Sequence, residues 1–217
     1  MKRMSGETRT NPYDLFALET ALQIREKVGG TVTVLTMGPP QAEEMMRDAY
    51  TMGADDAVIL SDRKFAGADV LATSYALAQG IQVIGGADLI ICGRQTTDGD
   101  TAQVGPQIAE KLGMPQITYV SEIKVDGEHV ICRRMLEDGY MTIKTHTPCL
   151  LTCIKELNTP RYMTIRGILD CDAEPVTVLD YNALKDDPLI EVDTIGLKGS
   201  PTNIYKSFTP PRKGSGM

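Results

Sequence analysis

Four apolar residues, Leu89-Ile90-Ile91-Cys92, run into a loop rich in glycine and hydroxyl groups and then into a helical repeat, and this junction most constrains the fold. The run is too short for a helix and reads as a buried strand. The loop Gly93-Arg94-Gln95-Thr96-Thr97-Asp98-Gly99-Asp100 turns the chain, after which Thr101 reads as an N-cap and Ile108, Ala109 and Leu112 recur at helical spacing. Strand, loop and helix N-terminus in that order offer free backbone N–H groups and partial positive charge to a phosphate. Gly93, Gly99 and Gly105 allow backbone to approach a ligand, and Thr96, Thr97, Thr101 and Gln103 offer hydroxyls and an amide. Asp98 and Asp100 suit loop amides, a helix cap or a ribose better than a bare phosphate. A plain connection between strand and helix has the same pattern, so at this level the nucleotide reading and the connection reading stand even.

Two further junctions of this kind precede it. Asn11-Pro12 reads as a helix start, with Asn11 as N-cap and Pro12 at the first helical position, and Leu15, Leu18, Leu22 and Ile24 give the helix an apolar face up to Gly29-Gly30. A β-branched strand at 31–36 leads through Met37-Gly38-Pro39-Pro40 into a second helix ending at Gly53. A strand at 57–60 leads through Phe65-Ala66-Gly67-Ala68-Asp69 into a third helix over 70–84. Strands separated by helices imply a parallel sheet covered on both faces, with all these turns at its C-terminal edge. From Pro115 the pattern changes to antiparallel strands at 116–124, 129–136 and 141–144, with Asp126-Gly127 as a hairpin turn, then an apolar strand at 148–154. A polar loop at 157–164 precedes a weak helix. The stretch from Asp172 to Met217 is Pro-rich, acidic and sparsely periodic, and reads as an extended arm on a nucleotide-binding domain of residues 11–171.

The net charge of −7 argues against a nucleic-acid surface, and with no tryptophan and three phenylalanines the chain lacks a stacking platform for bases. No apolar run is long enough for a transmembrane span, and no apolar leader opens the chain, so the expected location is the cytoplasm. Cys92, Cys132, Cys149, Cys153 and Cys171 are an odd set, expected as buried reduced thiols; with only His129 and His146 beside them no metal site is expected.

The blocks Asn11-Pro12-Tyr13-Asp14, Met37-Gly38-Pro39-Pro40, Met52-Gly53-Ala54-Asp55, the loop ending Asp98-Gly99-Asp100-Thr101-Ala102-Gln103-Val104-Gly105-Pro106, and Leu157-Asn158-Thr159-Pro160-Arg161-Tyr162 follow one another in an order that resembles the β subunit of electron transfer flavoproteins. The resemblance runs from Asn11 over nearly all the chain, and the Asp98 to Pro106 block is its most specific part. It implies an α/β, doubly wound, mainly parallel sheet of the adenine-nucleotide-binding type, and a heterodimer with an α subunit that carries FAD. The β chain's own nucleotide is then AMP in the common form, or a second FAD in an electron-bifurcating form fed by NADH. Residues matching the nucleotide contacts are Asn11, Pro12, Tyr13, Asp14, Met37, Gly93, Arg94, Gln95, Thr96, Thr97, Asp98, Gly99, Asp100, Thr101, Ala102, Gln103 and Val104. Of these, Gly99, Asp100, Thr101 and Gln103 fall to the phosphates, and Asn11 and Met37 to the adenosine. Ala66, Gly67, Ala68, Asp69, Thr73 and Ser74 face the same edge and leave room for FAD or a visiting NADH.

The segment carrying Leu157, Asn158, Thr159, Pro160, Arg161 and Tyr162 resembles the loop that docks onto acyl-CoA dehydrogenases, or here an enoyl-CoA reductase-type partner; a solvated connection is the other reading. The 99–106 loop, with Gly196-Leu197-Lys198-Gly199-Ser200-Pro201 and Tyr205-Lys206-Ser207-Phe208-Thr209-Pro210, points to the bifurcating subgroup. Both ends depart from the family. Its members place an apolar strand before the Asn-Pro block, inside the sheet, and a helix after the Pro-rich segment. A fragment or a misplaced start would account for this, and unpaired sheet edges are the expectation. The residues form no acid–base, nucleophilic or metal constellation, so redox chemistry would be the flavin's, in an electron-carrier subunit. The rival from another class is a non-redox regulatory domain holding an adenine nucleotide, which would need neither the 157–164 loop nor the arm.

Overall fold

A computed structural model describes residues 9–184. The segments at 196–201 and 205–210, and the expected arm beyond residue 184, lie outside the described residues.

Helix α1, Pro12–Val28, begins where Asn11 is extended and Pro12 fixes the first helical φ, and ends at Gly29. Its Leu22 is fully buried against Val32 and Met52, with Leu15, Leu18 and Ala21 alongside. Strand β1, Thr33–Met37, passes through a single 3-10 turn at Pro40–Ala42 into α2, Glu43–Met52. Strand β2, Asp56–Leu60, leads to α3, Val70–Val83, and β3, Leu89–Gly93, to α4, Val104–Lys111. Then come β4, Gln116–Asp126, β5, His129–Met135, β6, Tyr140–His146, and β7, Cys149–Cys153. The described chain ends with α5, Ile165–Asp170, β8, Val176–Leu179, and α6, Tyr181–Leu184.

The strands form two sheets, β1-β2-β8, all parallel, and β3-β7-β4-β5-β6, parallel from β3 to β4 and antiparallel beyond. Side chains alternate across a strand, and β2 uses both faces. Ala57 and Ile59 pack on Met46 and Tyr50 of α2, whereas Val58 and Leu60 pack on Ala76 of α3. The sheet is therefore wound on both sides. A third cluster joins the two sheets through α3. Its Ala78 and Ile81 meet Ile108, Ala109 and Leu150, with Leu35 of β1 and Ile90 of β3 alongside. β1 and β3 each end their sheet, and among the described residues no strand pairs with their outer edges.

Three expectations are corrected. Thr101 is not the cap of α4: the helix starts three residues later, behind Gln103, because Asp100 (φ 51°) and Ala102 (φ 54°) hold left-handed backbone that cannot begin a right-handed helix. The strand at 116–124 is antiparallel on one side only: it pairs so with β5, but its other edge pairs in parallel with the apolar strand β7, which lies between β3 and β4 and is buried throughout. The arm does not begin at Asp172: Val176–Leu179 pairs in parallel with β2, and Tyr181 and Leu184 are buried beside Val58 and Leu60. The backbone hydrogen bonds of that pairing compensate for the segment's thin apolar content.

Leu151 is fully buried in the middle of β7, within the cluster of Ile117, Val120, Val130, Cys132 and Cys149. Leu151→Ala is expected to lower unfolding free energy by about 2–5 kcal/mol, read from equilibrium denaturation.

Candidate functional site

The end of β3 is pinned to the first turn of α1. The Gly93 amide donates to Asp14 Oδ1 at 2.8 Å, and Asn11 Nδ2 donates to the Gln95 carbonyl at 2.8 Å and to Asp14 Oδ2 at 3.0 Å. A Cβ at Gly93 would stand 2.6 Å from Tyr13 Cβ, so only glycine lets strand and helix meet so closely. Gly105 does the same for α4, where a Cβ would stand 2.8 Å from Cys92 Sγ. These two glycines let protein approach protein, and neither they nor Gly99 adopt left-handed backbone. Asn11 occupies the cap position, but its side chain reaches the loop instead of capping α1. Asp14 keeps much of its surface exposed, yet crowding around its carboxylate raises its pKa, against the lowering effect of the bonds from Asn11 and Gly93.

Within the loop, the Asp100 amide donates to the Thr96 carbonyl at 3.1 Å, the Gly99 amide to Thr96 Oγ1 at 3.3 Å, and the Gln95 amide group to the Asp100 carboxylate. Asp100 thus braces the loop. Thr96, Thr97, Asp98, Gly99, Asp100, Thr101 and Gln103 are exposed, whereas Ala102 and Val104 are half-buried. Left-handed backbone occurs at Asp100 and Ala102 in this loop and at Tyr119 (φ 57°) on β4, one strand beyond β7. Arg94 donates through its amide to the Cys153 carbonyl, and its guanidinium stands 5.4 and 5.8 Å from the centres of the Tyr13 and Tyr119 rings. It lines a cavity of about 250 Å³ with Tyr13, Met135, Ile154, Lys155 and Glu156. Beside the loop, the Asn11 Oδ1 and Thr10 Oγ1 atoms are buried without a hydrogen-bond partner.

The second group of residues divides. Asp69 caps α3 by accepting from the Ala72 amide at 2.9 Å. Ala66 and Gly67 are exposed, and Ala68 and Thr73 half-buried. Ser74 is fully buried and donates to the Leu71 carbonyl and to Gln107 Oε1, so it ties α3 to α4 instead of facing the edge. Met37 packs on the cluster of Phe65 and Ala76. Burial pushes the thiols of Cys132 and Cys153 up to about 12 and that of Cys149 to about 11, and raises that of Cys92, so these sulfurs stay protonated at neutral pH. Among the described residues no group of three or more His, Cys, Asp or Glu side chains could hold a metal ion.

The 157–162 segment faces both ways. Leu157 packs on the cluster of Cys149 and Leu151, and Asn158 Nδ2 donates to the Phe16 carbonyl at 3.0 Å and to Thr20 Oγ1 at 2.8 Å. Arg161 grips Glu19 through its backbone amide (3.1 Å), Nε (2.7 Å) and a terminal nitrogen (3.2 Å), and reaches Glu26 at 2.6 Å with the other. Thr159 is exposed, Pro160 half-buried, and Tyr162 is 95% exposed. The apolar surface then continues through Met163, Ile165 (81% exposed), Ile168 and Leu169 (76% exposed). Sequence reasoning missed this continuation of the surface. Its signal was apolar spacing at i, i+3 and i+4 in a short helix with no buried side.

The electron transfer flavoprotein domain family matches residues 2–184. The chain is 57% identical over 220 residues to the acryloyl-CoA reductase electron transfer subunit gamma of Anaerotignum propionicum, covering all of this chain and 82% of that protein. It is 51% identical over 207 residues to subunit CarD of the caffeyl-CoA reductase-Etf complex of Acetobacterium woodii, covering 95% of this chain and 78% of that protein. It is 46% identical over 218 residues to protein FixA of Bradyrhizobium diazoefficiens, covering 97% and 75%.

Burial would raise the Glu19 carboxyl, but hydrogen bonds from Arg161 and Gln23 hold it below its usual 4.5. A depressed carboxyl contributes its full stability above that value and loses it as pH falls through the lowered one. Glu19→Gln is expected to destabilise the fold by about 1–3 kcal/mol at pH 7 and to flatten the loss of stability below pH 4.5, read from denaturant midpoints across pH.

Proposed function

We propose, from the premise that this chain belongs to the electron transfer flavoprotein family, that it is the β subunit of a heterodimer whose α subunit carries FAD. The assembly passes electrons to an acyl-CoA dehydrogenase or enoyl-CoA reductase-type partner. The relatives from Anaerotignum propionicum and Acetobacterium woodii are named as subunits of CoA-ester reductase systems, which supports that class of partner. The observation that carries the nucleotide reading is the orphaned pair Asn11 Oδ1 and Thr10 Oγ1 beside an exposed run of hydroxyls and amides at 96–101 and Gln103. Buried polar atoms without partners are uncommon, and a nucleotide's ribose or base can supply the missing donor.

We assign FAD to this site in preference to AMP. Exposed Ala66 and Gly67, with half-buried Ala68, leave the neighbouring edge open for the longer group, and Thr73 offers it a hydroxyl. A bound flavin would supply electron acceptance and donation, with NADH as donor and bifurcation as its use. This chain's residues then bind and orient it: Thr96, Thr97, Thr101 and Gln103 toward the phosphates, Asn11 toward the adenosine. The five free thiols fit a reducing compartment, and we place the carrier in the cytoplasm. The apolar surface from Tyr162 to Leu169 is the docking face for the reductase-type partner.

Nucleotides released from the reconstituted heterodimer are expected to be two FAD and no AMP; one FAD with AMP would end the FAD assignment. Thr101→Val and Gln103→Ala are expected to lower nucleotide content severalfold while changing the stability of the stripped protein by no more than about 0.5 kcal/mol. Full occupancy in both would return the loop to a plain connection. The paired change Ile165→Ser with Leu169→Ser is expected to raise the KM for the redox partner about tenfold with nucleotide content intact.

A further inference from the structure

An extended segment followed by a six-residue helix has too little structure to hold its shape alone. Four ties fix this one to the domain. Arg161 grips the buried Glu19 and the exposed Glu26 of α1. The Thr164 amide donates to the Thr51 carbonyl at 3.0 Å, in the last turn of α2. At Gly167 a Cβ would stand 2.6 Å from that same carbonyl oxygen, so only glycine lets α5 lie against α2. Beyond α5, an Arg47 terminal nitrogen donates to the Cys171 carbonyl at 2.8 Å. All four run inward through polar atoms and backbone, while Tyr162, Ile165, Ile168 and Leu169 point out. An apolar group on a free loop loses its freedom on binding, whereas one on a fixed scaffold has lost it beforehand.

We propose that Arg161 and Gly167 are positioning residues that hold this apolar face ready for the partner, setting its affinity through the scaffold instead of by contact. The inference rests on the docking reading of that face, so the test separates the two. In the intact heterodimer, kcat and KM for the CoA-ester reductase partner are measured with nucleotide content and the rate of flavin reduction by NADH. Arg161→Gln and Gly167→Ala are each expected to raise KM about tenfold with kcat within about twofold, nucleotide content and NADH reduction being unchanged. In the Ile165→Ser, Leu169→Ser background, Arg161→Gln should move KM by less than about twofold, because the face it positions is already lost. If the serine pair leaves KM unaltered, the docking reading fails and the positioning role with it. If the serine pair raises KM while Arg161→Gln and Gly167→Ala do not, docking stands and positioning is overturned. An equal effect of Arg161→Gln in both backgrounds also overturns it. Should Arg161→Gln fail to assemble, Arg161→Lys keeps the charge but cannot span both carboxylates; a KM rise of about threefold is expected, and an unaltered KM overturns the proposal.

Discussion

One helix carries both candidate regions, and the polar groups along α1 are what hold them. Its first turn receives the loop after β3 through Asn11 and Asp14, and its middle and last turns receive the 157–162 segment through the Phe16 carbonyl, Thr20, Glu19 and Glu26. A helix rises about 1.5 Å per residue, so the two sets of attachments centre roughly 12 Å apart on one stiff rod. The apolar side of the same rod, centred on Leu22, fixes it to Val32 and Met52. Remove the polar stripe and the fold retains its core, but the loop and the apolar face lose their common frame.

The winding of the chain was legible because it rests on short-range chemistry. Apolar runs bounded by glycine gave β1, β2 and β3, and Asn11-Pro12 marked where α1 begins. What the sequence hid depends on distant partners. Val176–Leu179 is too plain a run to identify as a strand until β2 is beside it, and β7 cannot be told parallel from antiparallel by its own five residues. The start of α4 was misread because left-handed backbone at Asp100 and Ala102 is not announced by either residue type.

The candidate site was half legible for the same reason. The loop and the first turn of α1 do come together, but Ser74, placed at the edge on its hydroxyl alone, turns inward to Gln107. Gly93 and Gly105 also serve close protein contacts, set by Tyr13 and Cys92, which their own sequence neighbourhoods do not announce. The grip of Arg161 on Glu19 spans 142 residues and had no local signature at all.

That grip divides the segment into residues with different freedom to change. Arg161 cannot be replaced first without leaving the buried Glu19 charge uncompensated, whereas after loss of Glu19 it still has Glu26, so change at this pair has a preferred order. Gly167 is similarly held by the Thr51 carbonyl oxygen. Tyr162, Ile165 and Leu169 carry no such restraint, since each projects almost wholly into solvent. A lineage can therefore remodel these three side chains one at a time, and acquire or lose a surface affinity, while the scaffold that displays them passes down unaltered.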